Sequence, residues 1–205
     1  MTIDGAIVVT VLRHGACEGR NAVFRGRTDD PLSATGWAQM RAVAAQFPEF
    51  ASVGSSPLLR CRAFAADFAA AHGLSLQVED GFRERDFGAW ECLTAAEVAM
   101  RFPVHGDPRQ NPYDNVPEGG ESYPEFRARV ESAWTSYTAR LAPGAHLLVA
   151  HAGVMRVLLV HLLGLPPQNL YRLNLPNAGH FTVSLLAGEA PILLALNMAL
   201  NGCVN

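Results

Sequence analysis

Two histidines, His14 and His151, each end a short apolar run and stand within two residues of a glycine. Imidazole near neutral pH can act as nucleophile, general base or metal ligand, so a repeated placement of this kind carries chemical meaning. In residues 6–15, AIVVTVLRHG, the side chains of Ile7, Val8, Val9, Val11 and Leu12 have the β-branched bias of a strand buried on both faces. The run stops at Arg13, His14 and Gly15. In residues 146–153, HLLVAHAG, Leu147, Leu148 and Val149 form a second short strand that ends at His151, close to Gly153. A parallel α/β sheet binds ligands at the carboxyl ends of its strands, so Arg13 and both imidazoles are expected in one crevice. A histidine at a strand end more often makes a structural hydrogen bond, and it is the matched pair with arginines nearby that favours chemistry.

Other charged residues fall where they could join that crevice. Arg60 lies in the first turn of a helix opened by Pro57, just after a strand at residues 52–55, and aims a guanidinium at the same sheet edge. Arg62, two residues on, points away. Residues 16–31 read as a polar loop in which Arg20, Asn21, Arg25 and Arg27 could face an anion, with solvation the favoured reading for Arg25 and Arg27. Residues 82–94, FRERDFGAWECLT, mix Glu84 and its charged neighbours with Phe87 and Trp90 without a clear period, as a site-forming loop does. A surface ion pair is the plain alternative for each carboxylate there. Phe87, Trp90, Tyr113 and Tyr123 are divided between substrate wall and core.

The elements that must position these groups alternate between strand and helix. Ser33 caps a helix carrying Trp37, Met40, Ala44 and Phe47 at helical spacing, closed by Pro48. Leu58, Cys61, Ala65 and Phe68 mark the buried face of the next helix, which Gly73 ends. A strand at residues 76–78 follows. Thr94 with Glu97, and Ser122 with Glu125, read as capping boxes, the second opening a long helix bearing Phe126, Val130, Ala133, Tyr137 and Leu141. Between them, residues 103–121 are rich in proline and glycine and read as a lid or substrate loop. Residues 153–163 are apolar nearly all round, a buried helix on which His161 is expected as a satisfied core histidine. Residues 181–186 and 192–196 form a terminal hairpin. The whole is expected to be one domain over 1–205, a three-layer α/β/α sandwich with a mostly parallel central sheet.

Composition narrows the function classes. The chain has 205 residues, a net charge of -3 and 17% charged residues, which gives no general attraction to nucleic acid or membrane. All 16 basic residues are arginine, through coding bias for most of them, although guanidinium forks also suit phosphate and carboxylate. Cys17, Cys61, Cys92 and Cys203 are scattered and form no metal-binding or redox pair. No secretory leader or membrane-spanning run is read, so a cytoplasmic protein is expected, with no metal or other cofactor, a small-molecule partner, and a homodimer left open.

With Arg13, His14, Arg60, Glu84 and His151 collected, the chain resembles the histidine phosphatase superfamily, the phosphoglycerate mutase-like group. The resemblance rests on L-R-H-G at residues 12–15, S-S-P-L-L-R at 55–60, R-E-R-D-F-G-A-W-E at 83–91, G-G-E-S at 119–122 and A-H-A-G at 150–153. It implies a nucleophile at His14, phosphate clamps at Arg13, Arg60 and His151, and a proton donor at Glu84; Asn21, from the polar loop, is expected to join the phosphate site. Arg20, Arg27, Trp90 and Tyr113 would contact substrate. Residues 25–32, R-G-R-T-D-D-P-L, with Gly36-Trp37 and Gln39-Met40 after them, are similar to α-ribazole-5′-phosphate phosphatases of cobalamin biosynthesis. Ala16 and Cys92 depart from the usual pattern, where many relatives carry Glu and Gly. The implied function is a phosphomonoesterase working through a phosphohistidine, the alternatives being a mutase, a catalytically silent phospho-ligand binding module, or a metallohydrolase using His14, His151 and Glu84 as ligands.

Overall fold

The computed structural model describes residues 5–105 and 115–197. In chain order it contains β1 (Ile7–Arg13), α1 (Ala34–Ala44), β2 (Ser52–Ser55), α2 (Leu59–His72), β3 (Ser75–Val78), α3 (Ala95–Arg101), α4 (Tyr123–Thr138), β4 (Gly144–Ala150), α5 (Ala152–Leu162), β5 (His180–Leu185) and β6 (Ile192–Asn197). The six strands form one sheet in the order β3-β2-β4-β1-β5-β6. The first four are parallel and the terminal hairpin adds β5 and β6 antiparallel. The mostly parallel sheet expected from the alternating pattern is therefore present.

Strand alternation sorts the core into two layers. Leu148 and Ala150 of β4 join Val9 and Val11 of β1 against α4 and α5. Leu147 and Val149 face the other way, with Leu12, against Met40 and Val43 of α1 and Cys61, Phe64 and Ala65 of α2. Both central strands are thus buried on both faces, which is why each reads as a near-continuous apolar run. Ser33 accepts from the Gly36 N–H, and the capping boxes Thr94/Glu97 and Ser122/Glu125 are both formed. Helix α2 starts at Leu59, two residues after Pro57, and ends on Gly73 at φ 64°.

Two expectations change. His161 is on the exposed side of α5 with Nδ1 3.2 Å from Glu131 Oε1, because α5 buries one broad face and leaves this position to solvent. The segment between α3 and α4 is described only at its ends, so Tyr113 and the middle of residues 103–121 lie outside the described residues, as does Cys203. No helix among the described residues is long and apolar enough to cross a membrane.

Candidate active site

Parallel pairing of β1 with β4 sets Arg13 opposite Ala150, so the next residues, His14 and His151, leave the sheet side by side. Their ring centroids are 5.3 Å apart. The His14 N–H still bonds the Ala150 carbonyl, at 3.0 Å, which holds the first residue beyond the strand in register. Immediately after it the chain passes so close to α1 that neither Gly15 nor Gly36 has room for a side chain. A Cβ on Gly15 would meet Gly36 O at 2.3 Å, and one on Gly36 would meet Ala16 O at 1.9 Å. The Gln39 side chain and Ser33 hydroxyl bind the Ala16 N–H and carbonyl, at 2.9 and 3.2 Å, fastening the loop to α1.

The His14 ring is oriented by its own loop. Its Nδ1–H donates to the Gly15 carbonyl at 2.8 Å, which leaves Nε2 as the lone-pair nitrogen of the neutral ring. Burial holds the ring well below its ordinary pKa, and the charges of Arg13 and Arg60 act in the same direction. His151, fully buried at the start of α5, is also held neutral by burial and then by Arg60 and His14. Its Nε2 shares a 2.7 Å hydrogen bond with the Ser56 hydroxyl.

Arg13 and Arg60 are braced by backbone carbonyls instead of carboxylates. Arg13 donates to the Leu175 carbonyl, and burial with neighbouring Arg156 lowers its pKa to about 10, so it stays a cation at neutral pH. Arg60, wholly buried in the first turn of α2, donates to the Thr28 and Gly26 carbonyls, both at 2.7 Å. That loop is held by Glu91, whose carboxylate accepts the N–H groups of Arg27 and Thr28 at 2.6 and 2.8 Å and the Thr28 hydroxyl at 2.6 Å. Glu84 accepts the N–H groups of Arg85 and Gly153, each at 2.9 Å. Glycine at 153 leaves room for this carboxylate, since a Cβ there would lie 2.1 Å from Glu84 Oε1.

These groups surround a cavity of about 280 Å³ whose walls include Arg13, His14, Arg60 and Glu84, with Asn21 at its exposed rim. His151 packs against the His14 ring and, contrary to its expected role as a phosphate clamp, is not itself a wall residue. Phe87 and Tyr123 also line it. The arrangement can hold a tetrahedral dianion between guanidinium groups and place it before an unprotonated imidazole nitrogen, with a carboxyl group beside it for proton transfer. Among the described residues no three His, Cys, Asp or Glu side chains are grouped to hold a metal ion.

Several expected contacts are placed elsewhere. Arg20 is exposed and pairs with Glu97 of α3 at 3.0 Å, outside the cavity walls. Arg27 is also outside them, and its backbone N–H serves the Glu91 clamp. Trp90 is 1% exposed and packs with Phe87, Leu93 and Val98, so it is core. Arg25, which the loop's polarity assigned to solvent, is a wall residue held by Asp30 and by the Glu18 and Arg20 carbonyls at 3.1 and 2.8 Å. The sequence reading missed Arg85, Arg156 and Tyr171 in the walls. Arg156 had a signal, as the lone charge in an otherwise apolar helix stretch.

Residues 9–198 match the histidine phosphatase superfamily (branch 1). A bifunctional protein of Mycobacterium tuberculosis is 34% identical over 169 residues, which cover 80% of this chain and 46% of that protein. The chain thus spans about half the length of the first curated relatives it matches. Among solved structures, mycobacterial glucosyl-3-phosphoglycerate phosphatase superposes with a TM-score of 0.82 at 26% identity, over 95% of this chain and 100% of that one. The α-ribazole phosphatase of Shigella flexneri shares the fold, with a TM-score of 0.79 at 21% identity over 93% and 96% of the two chains.

Proposed function

Because the chain belongs to the histidine phosphatase superfamily, we propose that it is a phosphomonoesterase that hydrolyses a small-molecule phosphate ester through a phosphohistidine on His14. The observation that carries the reading is the 2.8 Å bond from His14 Nδ1–H to the Gly15 carbonyl, which leaves the free lone pair on Nε2 of a ring that lines the arginine-walled cavity.

In the first half-reaction Nε2 attacks phosphorus in line, the P–N bond forms and the P–O bond to the leaving alcohol breaks. Arg13 and Arg60 bind the non-bridging oxygens, and His151 packs against the attacking ring. Glu84, acting as general acid, gives a proton to the leaving oxygen. In the second half-reaction a water attacks phosphorus, Glu84 takes its proton, the P–N bond breaks and inorganic phosphate leaves. Two easier displacements replace one hard one. A positioned acid–base group of this kind contributes about 10²–10⁴ in rate.

α-Ribazole 5′-phosphate, the finer substrate implied by residues 25–32, belongs in the test panel. In the structure that segment serves the phosphate end: Asp29 Oδ1 accepts the Leu59 N–H at 2.6 Å and Thr28 supports Arg60. Rapid acid-free quenching with a labelled ester should trap an acid-labile phosphoenzyme and show release of inorganic phosphate without any bisphosphate requirement. His14→Ala should lose both the adduct and turnover; retained hydrolysis in that variant would overturn the reading.

A further inference from the structure

Three neighbouring parallel strands each stop one residue short of a polar side chain that meets the next. Ser56 follows β2, His151 follows β4 and His14 follows β1, and the strands are adjacent in the order β2-β4-β1. The Ser56 N–H donates to the Val149 carbonyl at 3.0 Å, as the His14 N–H does to Ala150, so both flanking residues keep the sheet's register beyond its edge. The result is a row: the Ser56 hydroxyl lies 2.7 Å from His151 Nε2, and the His151 ring lies against that of His14. Ser56 and His151 are wholly buried.

Ser56 decides which nitrogen of His151 carries the proton. Its oxygen accepts the Leu58 N–H at 3.3 Å, and among the described residues the only other bond of that hydroxyl is to Nε2. The single hydroxyl proton is therefore given to Nε2, which occupies that lone pair and leaves the ring proton on Nδ1. Cys61 Sγ lies 3.7 Å from Nδ1 and 3.6 Å from Nε2, so it favours neither, and it donates to the Ala150 carbonyl at 3.4 Å. A second proton on His151, at Nε2, would leave the Ser56 O–H without an acceptor inside the core. A hydrogen bond to the neutral ring thus opposes the charged one, in addition to burial.

That neutrality matters to the neighbouring ring. As His14 Nε2 bonds to phosphorus with Nδ1–H still on the Gly15 carbonyl, the His14 ring takes up positive charge. An imidazolium at His151, 5.3 Å away, would repel it. We propose that Ser56 is a positioning residue for phosphoryl transfer: it fixes His151 as the Nδ1–H tautomer and keeps it uncharged beside the ring that receives the phosphoryl group. This inference rests on the phosphatase reading above for what happens at His14. The role does not require His151 to reach the cavity wall.

Around His151 stand Arg60 and Cys61 of α2, Arg13 and His14 at the end of β1, Arg129 of α4, and Glu84 on the Gly153 N–H. Guanidinium groups keep their charge, and burial pushes the Cys61 thiol far up, so neither titrates in the acid range. The Ser56 hydroxyl bonds neither Glu84 nor His14, so a shift caused by Ser56→Ala belongs to His151.

Nitrogen-15 NMR of the wild-type protein, with the His151 signals assigned by their absence in His151→Phe, should show Nδ1 protonated at neutral pH. A protonated Nε2 there would overturn the proposal without any change at Ser56. Ser56→Ala should raise the pH at which His151 titrates by about one unit. On an alkyl phosphate the same variant should lose about ten-fold in kcat with KM little changed, and its acid limb should move up with the His151 titration. Ser56→Thr, which keeps the hydroxyl, should recover most of the loss. An unchanged His151 titration in Ser56→Ala, or a pH profile parallel to the wild type's, would overturn the proposal. If no ester turns over, the phosphatase reading fails, while the NMR titration still tests the hold of Ser56 on His151.

Discussion

The imidazoles of His14 and His151 meet edge to face, 5.3 Å between centroids and 63° between planes, inside a field of arginines. Neither ring can take a proton without placing a buried cation beside Arg13 and Arg60, so both stay neutral well below the ordinary histidine range. A depressed histidine pKa in the folded state leaves stability untouched above about pH 6.5, where both states are neutral. Below it the unfolded chain binds protons that the native protein refuses, and stability falls as pH drops from about 6.5 toward the folded values. The slope is at most about 1.4 kcal/mol per pH unit for each histidine. Urea titrations at pH 7.5 and 5.5 should show this loss, and His151→Phe should reduce it. An equal loss in that variant would show that the ring is not the source. The same neutrality extends the nucleophile's working range to acid, so kcat/KM for an aryl phosphate should not fall in step with an ordinary histidine.

Gly153 controls where the Glu84 carboxylate can sit. A methyl group there would lie 2.1 Å from Oε1, while alanine at the second position of α5 is favoured by helix propensity. Gly153→Ala should therefore stay folded, its gain in helix propensity set against the carboxylate bonds it displaces, yet lose about 10² in kcat, because the acid is displaced from the leaving oxygen. The loss should be large for an alkyl phosphate and small for p-nitrophenyl phosphate, whose leaving group departs without a proton. Equal losses on both esters would assign Glu84 a different role.

Arg129 of α4 gathers the strand-to-loop segment that carries Glu84. It donates to the Gly81 and Arg83 carbonyls at 2.8 and 3.0 Å and pairs with Glu121 at 2.7 Å. Arg129→Gln removes the charge pair and leaves carbonyls partly unsatisfied, a destabilisation of about 1–3 kcal/mol. Since Arg129 acts through Glu84, kcat on alkyl phosphates should fall while KM changes little. A KM effect with constant kcat would contradict this.

The parts of the site that were legible in the sequence are those written by local chemistry. A β-branched run that ends in a histidine announces both a buried strand and what stands at its end, and this located His14 and His151. Arg25 and Arg27 were not separable in this way. They lie two residues apart in one polar loop, and which of them faces the cavity is set by the turn between them, where Gly26 takes φ +52° against Glu91. Trp90 shows the same limit: an aromatic ring in a charged stretch suits a substrate wall or a satellite core, and only its packing with Phe87, Leu93 and Val98 decides. Arg156 was hidden by its surroundings, because a helix that is apolar all round reads as core and its single cation reads as an exception.

Glu91 is the residue on which that loop depends. Its carboxylate takes three donors from Arg27 and Thr28, and the carbonyls of Gly26 and Thr28 in the same turn hold both terminal nitrogens of Arg60. Removing it frees the turn, and Arg60 then keeps its charge but loses its fixed direction. Glu91→Ala should raise the Kd for inorganic phosphate and the KM for esters, with a loss in kcat/KM of about 10²-fold, the usual effect of a displacement near 1 Å. Glu91→Gln keeps one carbonyl acceptor and should recover part of that loss. Gly26→Ala should reproduce the Ala variant, since its methyl group would stand 2.1 Å from Glu91 Oε1 at a positive φ. The measurement is phosphate binding by calorimetry alongside steady-state kinetics for the three variants. Phosphate affinity unchanged in both Glu91→Ala and Gly26→Ala would mean that Arg60 is aimed by α2 alone and needs no support from the loop.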